Sequence, residues 1–507
     1  MSFQKEFIPY KLRLNRKILE KEYPNYKKHI KNTFEAKQQH VFTWWDEISS
    51  GEKELLLAQV ASIDFQLIEK LFHQNLRKTA SAIQGSLLPP HVISVPSNTL
   101  ERELAEAAKQ IGESSLRKGE TAILTVAGGD GSRLGGNGPK GTICIAPISG
   151  KSIFQLHAEK IHALQQRYGI PVPWYIMTSE TNNQVTQDFF QSHHFFGLDD
   201  RQVCFFTQGM LPVVDLHGKV LMNSKSNIVM SPNGHGGVII ALREKGILAD
   251  MKRRGVRQIF YHQIDNVLIK MADPVFLGYH AGSKAEISLK VVKKRHAEEK
   301  VGIVGYIDGR LHIAEYSELS QEDMYARNGN GMLKYNAGSI GVHMIHIDFL
   351  EKVYRMENSL PYHVAFKKVS CLNEKGDMVN PEKNNAVKFE SFIFDILRYV
   401  KQGVVMEVLR EEEFSPVKNS EGDDSPATAK RDIVNLFGRW LRNTGISIPT
   451  DPQGNVIGLI EISPHFALDE EELRSKIDTQ FQFDGLLNLK EHLRIDRQKC
   501  MNILSPT

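Results

Sequence analysis

Cysteine is scarce in this chain: four residues in 507, at positions 144, 204, 371 and 500, with no C-x-x-C pair among them. Such spacing excludes a disulfide framework and a thiolate zinc cluster. No apolar run approaches the roughly 18 residues needed to span a bilayer, and the opening MSFQKEFIPYKLRLNRK has no apolar core for a signal peptide. An excess of one charge is missing too. Sixty-three basic and 60 acidic side chains leave +3, so neither nucleic acid nor a membrane surface is called for as a partner. There is no internal repeat, and no His, Cys or carboxylate set recurs at metal-site spacing: His193-His194 and His343/His346 read as solvated or core histidines. These absences leave a reduced, cytoplasmic enzyme or binding protein, long enough for about three structural units and a normal core.

Three textures follow one another. Residues 1–118 read as helical, with Ser49 and Glu52 spaced as a capping box and Leu56, Val60 and Ile63 on one face. From 119 to 395, short apolar runs (122–126, 174–177, 203–206, 258–261) alternate with helical stretches such as 151–168, whose Phe154, Ala158, Ile161, Leu164 and Tyr168 share a face. That alternation predicts βαβ units, a mostly parallel sheet and an α/β domain. Residues 396–507 read as a small mixed C-terminal unit: a strand at 404–409, an acidic loop over Arg410–Asp424, and a turn and strand within 450–464. Two basic clusters read as ordinary: Lys252-Arg253-Arg254 as a helix C-terminus, and Lys290 to His296 as a charged stretch after a strand.

The segment richest in chemistry is Val126-Ala127-Gly128-Gly129-Asp130-Gly131-Ser132-Arg133-Leu134-Gly135, followed by Pro139-Lys140-Gly141. An apolar strand runs into a glycine-dense loop whose backbone N–H groups can approach a polyanion, while Arg133 and Lys140 add fixed positive charge. The spacing is neither a Walker A loop nor the G-x-G-x-x-G fingerprint. A plain tight turn is the bland alternative. Asp265 closes the apolar run Ile259–Ile264, the end of a parallel strand at which α/β sheets bind ligands.

The loop resembles the LAGGxGTRLG…PKG signature of the eukaryotic-type UDP-N-acetylhexosamine pyrophosphorylases, within the wider UDP-sugar pyrophosphorylase family. The resemblance continues, in the family's order, through Phe206–Pro212, Pro232–Gly237, Asp265–Lys270, Glu315–Glu318, Tyr335–Gly338, Phe392–Asp395 and Leu409–Asn419, and includes Trp45-Asp46-Glu47 and Ala61–Asp64. It implies a Rossmann-like (GT-A-type) nucleotidyltransferase domain and transfer of a uridylyl group from UTP to N-acetylglucosamine 1-phosphate. In that reaction the sugar phosphate attacks the α-phosphorus in line and no covalent enzyme nucleophile is needed.

Carried over residue by residue, the resemblance implies that Val126, Ala127, Gly128 and Gly129 hold the nucleotide. Gln208 and Gly234 read uracil, and Asp265 binds nucleotide and Mg²⁺, with Mn²⁺ as a substitute. Glu315, Tyr316 and Asn336 contact the sugar, and Lys388 and Lys418 contact phosphate or substrate. Arg133, Lys140 and Lys418 carry the charge stabilisation of catalysis.

Four positions depart from the family's pattern. Asp130 stands for Gln, Ser132 for Thr, His235 for the Asn expected to meet substrate, and Ser339 breaks the Asn-Ala-Gly-Asn-Ile run. They bear on the sugar more than on the reaction, so glucose 1-phosphate or broad specificity is the alternative. A non-catalytic UDP-sugar sensor is a further alternative, disfavoured because Lys140, Asp265 and Lys418 are all present.

Overall fold

The structure is a computed structural model that describes residues 16–76, 85–129, 131–134, 138–316, 318–356, 360–478 and 480–490. It divides into two compact units, each assembled from separated stretches of chain: residues 1–81, 209–237 and 360–393 form one, and 82–208, 238–359 and 394–507 the other.

The larger unit is built on an eleven-stranded mixed sheet. Its main path uses β1 (Val92–Ile93), β2 (Thr121–Val126), β3 (Trp174–Thr178), β4 (Val203–Thr207), β5 (Gln258–Gln263), β6 (Ile287–Lys293), β7 (Ala337–His346) and β8 (Gly403–Glu407), in the order β1-β8-β6-β7-β5-β2-β3-β4. Every neighbouring pair on this path is parallel except those of β7, which runs antiparallel to both β5 and β6. β2, β3 and β5 are nearly continuous apolar runs because both faces of the sheet are covered. The α/β fold with a mostly parallel sheet is thus the one the alternating pattern predicts.

Among the helices that flank it are α1 (Thr99–Arg117), α2 (Ile153–Tyr168), α3 (Pro274–Gly282) and α4 (Pro426–Asn443). α2 begins at Ser152, whose hydroxyl accepts the Gln155 N–H, and ends at Gly169 in the left-handed conformation. Its five predicted face residues are all buried. α1 and α3 approach so closely that a Cβ on Gly278 would lie 1.6 Å from the Ala108 carbonyl oxygen, and one on Gly112 1.9 Å from that of Pro274. This backbone contact explains why residues 82–118 belong with the sheet and not with the helices that precede them. The C-terminal stretch likewise shares the sheet's core: Phe414, Trp440, Ile460 and Leu489 cluster with Phe154 and Trp174. Grouping by stretch of sequence therefore differs from grouping by packing, because packing recruits partners from distant chain.

In the smaller unit, helices Lys27–Glu35, Ser50–Ser62 and Phe65–Leu76 close a core of Phe42, Trp45, Leu56 and Val60 with Val214, Val220 and Phe389. The Ser49–Glu52 capping box is present, and Leu56, Val60 and Ile63 are buried. Its three-stranded sheet sets Ala386–Glu390 between His363–Lys367 and Val214–Asp215.

Two expectations are corrected. Lys290 is not part of a charged surface: it is fully buried on β6, 2.8 Å from Asp273 and paired also with Glu413. Both faces of β6 are covered, so period-two alternation does not carry it to water. The stretch Arg410–Asp424 is not one loop either. Arg410–Glu413 forms a helical turn, and Phe414–Val417 is buried.

Burial alone would raise the Asp273 carboxyl, but Lys270 and Lys290 hold it well below the usual range, whereas burial pushes Glu413 up. Removing one partner of such a cluster strands the others. Lys290→Met should therefore cost about 3–5 kcal/mol of stability, read by urea unfolding; a loss below about 1 kcal/mol would mean that the two carboxylates tolerate each other.

Candidate active site

The glycine loop leaves the sheet between two fixed neighbours. The Ala127 N–H donates to the Met177 carbonyl at 2.8 Å, and the Ile264 N–H donates to Val126 at 3.1 Å. The Ala127 carbonyl in turn accepts from Asn182 Nδ2 at 3.2 Å. At Gly128 a Cβ would lie 2.6 Å from Nε2 of the buried Gln208 side chain, so a larger residue there would push that amide aside. Beyond it the Gly131 N–H meets the Gly138 carbonyl at 2.8 Å, and the Lys140 N–H returns to the Gly129 carbonyl at 3.3 Å. The turn Gly131–Leu134 contains Arg133, whose side chain, like Asp130 and the Ser132 side chain, lies outside what the structure describes.

Lys140 follows Pro139 and precedes Gly141, which packs so tightly on Phe154 that a Cβ would fall 2.2 Å from its ring. The lysine Nζ stands 3.5 Å from Asp265 Oδ2 and 3.3 Å from the Val417 carbonyl oxygen. Both contacts are long for a charged donor. The amine is thus placed at this corner without being locked there, and both side chains keep some access to water.

Asp265 begins the connection after β5, and that connection is tied along its length. The Asp265 carbonyl accepts the Val417 N–H at 3.0 Å. The Asn266 carbonyl meets His157 Nε2 at 3.3 Å, and the carbonyls of Val267 and Ile269 both accept from Lys160 Nζ at 2.9 Å. Burial brings the Lys160 amine down to about 8 and His262 to about 4, and drives His157 well below its ordinary value. His262 bonds Thr125 Oγ1 at 2.8 Å, linking β5 to the strand that feeds the glycine loop.

Lys418 follows directly. Its N–H donates to the Asp424 carbonyl at 2.6 Å, and its Nζ lies 5.8 Å over the Phe414 ring. Asn336 precedes β7 and accepts the Lys294 and Gly338 N–H groups at 3.0 Å each. Because β7 runs antiparallel to β5, its start is at the same end of the sheet as the end of β5. Glu315 lies near Gly302, where a Cβ would be 3.6 Å from its Oε1, and the Gly302 carbonyl takes the N–H of Ser339 at 2.8 Å. Tyr316, beside Glu315, is exposed.

The larger unit therefore brings together Val126, Ala127, Gly128, Gly129, Lys140, Gln208 and Asp265, with Lys418 one residue beyond the Val417 carbonyl. Gly234, His235 and Lys388 belong to the smaller unit. There Gly234 takes φ +85°, and a Cβ would come within 2.4 Å of the Ser391 carbonyl oxygen. His235 Nδ1 accepts the Ile393 N–H at 3.2 Å, and its ring stacks on Phe392. Lys388 is partly buried on strand Ala386–Glu390, opposite Ala365.

Sequence reasoning gave no role to Asn182, Asn266, His157 or Lys160. For the last two a signal existed: they sit on the apolar face of α2 between Phe154 and Leu164, where a polar residue needs a buried partner.

A glycine loop at a parallel strand end, with Lys140 and the Asp265 carboxylate at the same corner, defines a nucleotidyltransferase of the nucleotide-binding α/β class. The chain belongs to the UTP–glucose-1-phosphate uridylyltransferase family, whose model matches residues 65–493. It is 37% identical over 472 residues to human UDP-N-acetylhexosamine pyrophosphorylase-like protein 1, covering 86% of this chain and 92% of that one. To the UDP-N-acetylglucosamine pyrophosphorylase of Saccharomyces cerevisiae it is 34% identical over 474 residues, covering 89% and 98%. The crystal structure of the Trypanosoma brucei uridine diphosphate N-acetylglucosamine pyrophosphorylase, in complex with an inhibitor, superposes with a TM-score of 0.75 at 27% identity over 89% of this chain and 94% of that one.

The buried histidines give a pH dependence with a definite sign. Folded His262 stays neutral down to about pH 4, whereas unfolded it takes up a proton near 6.5. The unfolded state thus binds more protons between those values, and stability falls as pH drops through that window. From pH 6.5 to 5 this one residue should remove roughly 1.5 kcal/mol. In urea unfolding, His262→Gln should show a shallower loss than the wild type; an equal loss would remove His262 as a source.

Proposed function

We propose that the protein is a uridylyltransferase that makes UDP-N-acetylglucosamine and pyrophosphate from UTP and N-acetylglucosamine 1-phosphate. The observation that carries this reading is the position of Lys140 Nζ, facing both Asp265 and the Val417 carbonyl beside the glycine loop. The names of the relatives support the choice of sugar.

In the reaction a phosphate oxygen of the sugar 1-phosphate forms a bond to the α-phosphorus of UTP. The bond from that phosphorus to the α,β-bridging oxygen breaks, and its electron pair leaves with pyrophosphate. Positioning and charge compensation supply the catalysis. The Gly128-Gly129 backbone lets the nucleotide close to the strand end, and the Gln208 carboxamide, pressed against Gly128, offers a donor and an acceptor to an imide edge. Lys140 exchanges its long contacts for shorter ones to phosphate and offsets the charge gathering on the leaving group. Lys418 and Arg133 add positive charge. In this reading Glu315, Tyr316 and Asn336 meet the sugar.

The donor set suits magnesium. Asp265 is one hard carboxylate, and Mg²⁺ is usually held by one or two carboxylates together with substrate phosphates and water. Among the described residues no group of three or more His, Cys, Asp or Glu side chains forms an all-protein cage. Asp265 would hold the ion, with Mn²⁺ as a substitute, and the ion would neutralise triphosphate charge. A cytoplasmic location belongs to the same reading. No helix among the described residues is long and apolar enough to cross a membrane.

The test is pyrophosphate release from UTP and Mg²⁺ with N-acetylglucosamine, N-acetylgalactosamine or glucose 1-phosphate. Release with the N-acetylated sugars is expected. Preference for glucose would move the assignment to that sugar, and silence with all three, in a protein that binds UDP-sugar, would make it a sensor.

Lys140→Ala should lower kcat about 100- to 1,000-fold with an unchanged melting temperature. Unaltered turnover in the folded variant would sink the role given to Lys140. Gly128→Ala should displace the Gln208 amide and raise KM for UTP more than it lowers kcat. If both constants hold, Gln208 does not read the base.

A further inference from the structure

Asn266 is almost fully buried, directly beside Asp265, and it spends both ends of its carboxamide on one foreign segment. Nδ2 donates to the Glu413 carbonyl at 2.7 Å, and Oδ1 accepts the Ser415 N–H at 3.0 Å. The main chains run side by side here as an antiparallel bridge, with Asn266 opposite Pro416. The Val267 N–H meets Ser415 at 3.3 Å, and the Val417 N–H meets Asp265 at 3.0 Å. Asn266 and Pro416 face each other as a non-hydrogen-bonded pair, where the N–H of residue 416 would point away from the partner strand, so the proline costs the pairing nothing. The carboxamide adds side-chain bonds to the residues on the N-terminal side of that pair. Both of its partners are main-chain groups, so what it fixes is the path of the segment and not any one side chain.

That path ends at Val417, whose carbonyl faces Lys140, and at Lys418. From behind, Glu413 is anchored by its ion pair with Lys290, and Ser415 Oγ bonds Asp432 of α4 at 2.8 Å. The segment is thus held at its start by charge, and nearer the site by the Asn266 carboxamide, the Asp432 carboxylate and two main-chain bonds.

We propose that Asn266 is a positioning residue for uridylyl transfer: its carboxamide sets the path of residues 413–417 and, through it, where Lys418 stands relative to Asp265 and Lys140. The inference rests on the uridylyltransferase reading, because it assigns Asn266 an effect exerted through Lys418. Nothing in the role requires Asn266 to touch substrate.

The experiment is a double-mutant cycle on the full-length protein, with pyrophosphate release from UTP and N-acetylglucosamine 1-phosphate as the readout. Asn266→Ala should lower kcat about 10- to 100-fold, the penalty of a misplaced group, with little change in KM for UTP. Because Asn266 acts through Lys418, the Asn266→Ala/Lys418→Ala protein should be no slower than Lys418→Ala alone. Asn266→Asp keeps the acceptor for Ser415 but turns an oxygen toward the Glu413 carbonyl, so it should be at least as slow as Asn266→Ala. Asn266→Ser, which can still make one of the two bonds, should fall between wild type and Asn266→Ala and serves should the alanine variant fail to fold.

Two failures are distinguishable. If Lys418→Ala leaves turnover unchanged, the role of Lys418 in the proposed reaction falls, and the positioning role with it. If Lys418→Ala is slow but the Asn266 substitutions are silent, raise KM alone, or multiply with Lys418→Ala, the positioning role falls and the reaction assignment stands.

Discussion

One ammonium group sealed from water organises the ground behind the site. Lys290 stands on an inner strand of the sheet and carries a charge whose removal from water costs several kcal/mol even in a relaxed protein. It is tolerable only because Asp273 and Glu413 meet it there. Those carboxylates come from two connections, one following β5 and the other following β8. The cost of the buried charge thus becomes a constraint on geometry, since neither connection can drift without exposing a charge to an apolar interior. Asp265 begins the first connection, and Lys418 ends the run that starts the second.

Around that constraint the site is assembled mostly from main-chain groups. β2, β3, β4 and β5 are parallel, so their connections start at one end of the sheet, and the backbone polar groups released there must find partners. Asn182 takes the carbonyl of Ala127, Lys160 takes two from the Asp265 connection, and His157 takes one. With those groups satisfied from within, the glycine loop, Lys140 and Asp265 are among the elements whose polar groups can turn to a ligand. The chemistry at the strand ends follows from what the fold has already used up.

The parts of this arrangement legible in the sequence were those governed by local rules. Gly128, Gly129 and Lys140 stood out because a strand, a glycine cluster and a lysine were adjacent in the chain, and Asp265 because it ended an apolar run. The capping box at Ser49 and the face of α2 followed from spacing alone. What escaped was decided at long range. Lys290 read as one more basic residue after a strand, since nothing nearby announces Glu413, 123 positions later. Asn266 read as part of a motif, because its partners are main-chain atoms that any sequence would offer. The Phe414–Val417 run was hidden within an acidic stretch, although its burial follows once it pairs with the Asp265 connection.

The make-up of the smaller unit has a consequence for synthesis on the ribosome. Its helices lie within the first 81 residues, but Val214 and Val220 of its core, and the strands that end at Glu390, come far later. At about 5–20 residues per second, roughly 15 to 60 seconds pass between the emergence of those helices and that of the last strand they pack with. During that interval Phe42, Trp45 and Leu56 lack part of the surface that finally covers them. The nascent chain therefore carries an incomplete apolar face until that strand emerges, and the last part of the smaller unit to be made is the one that closes it.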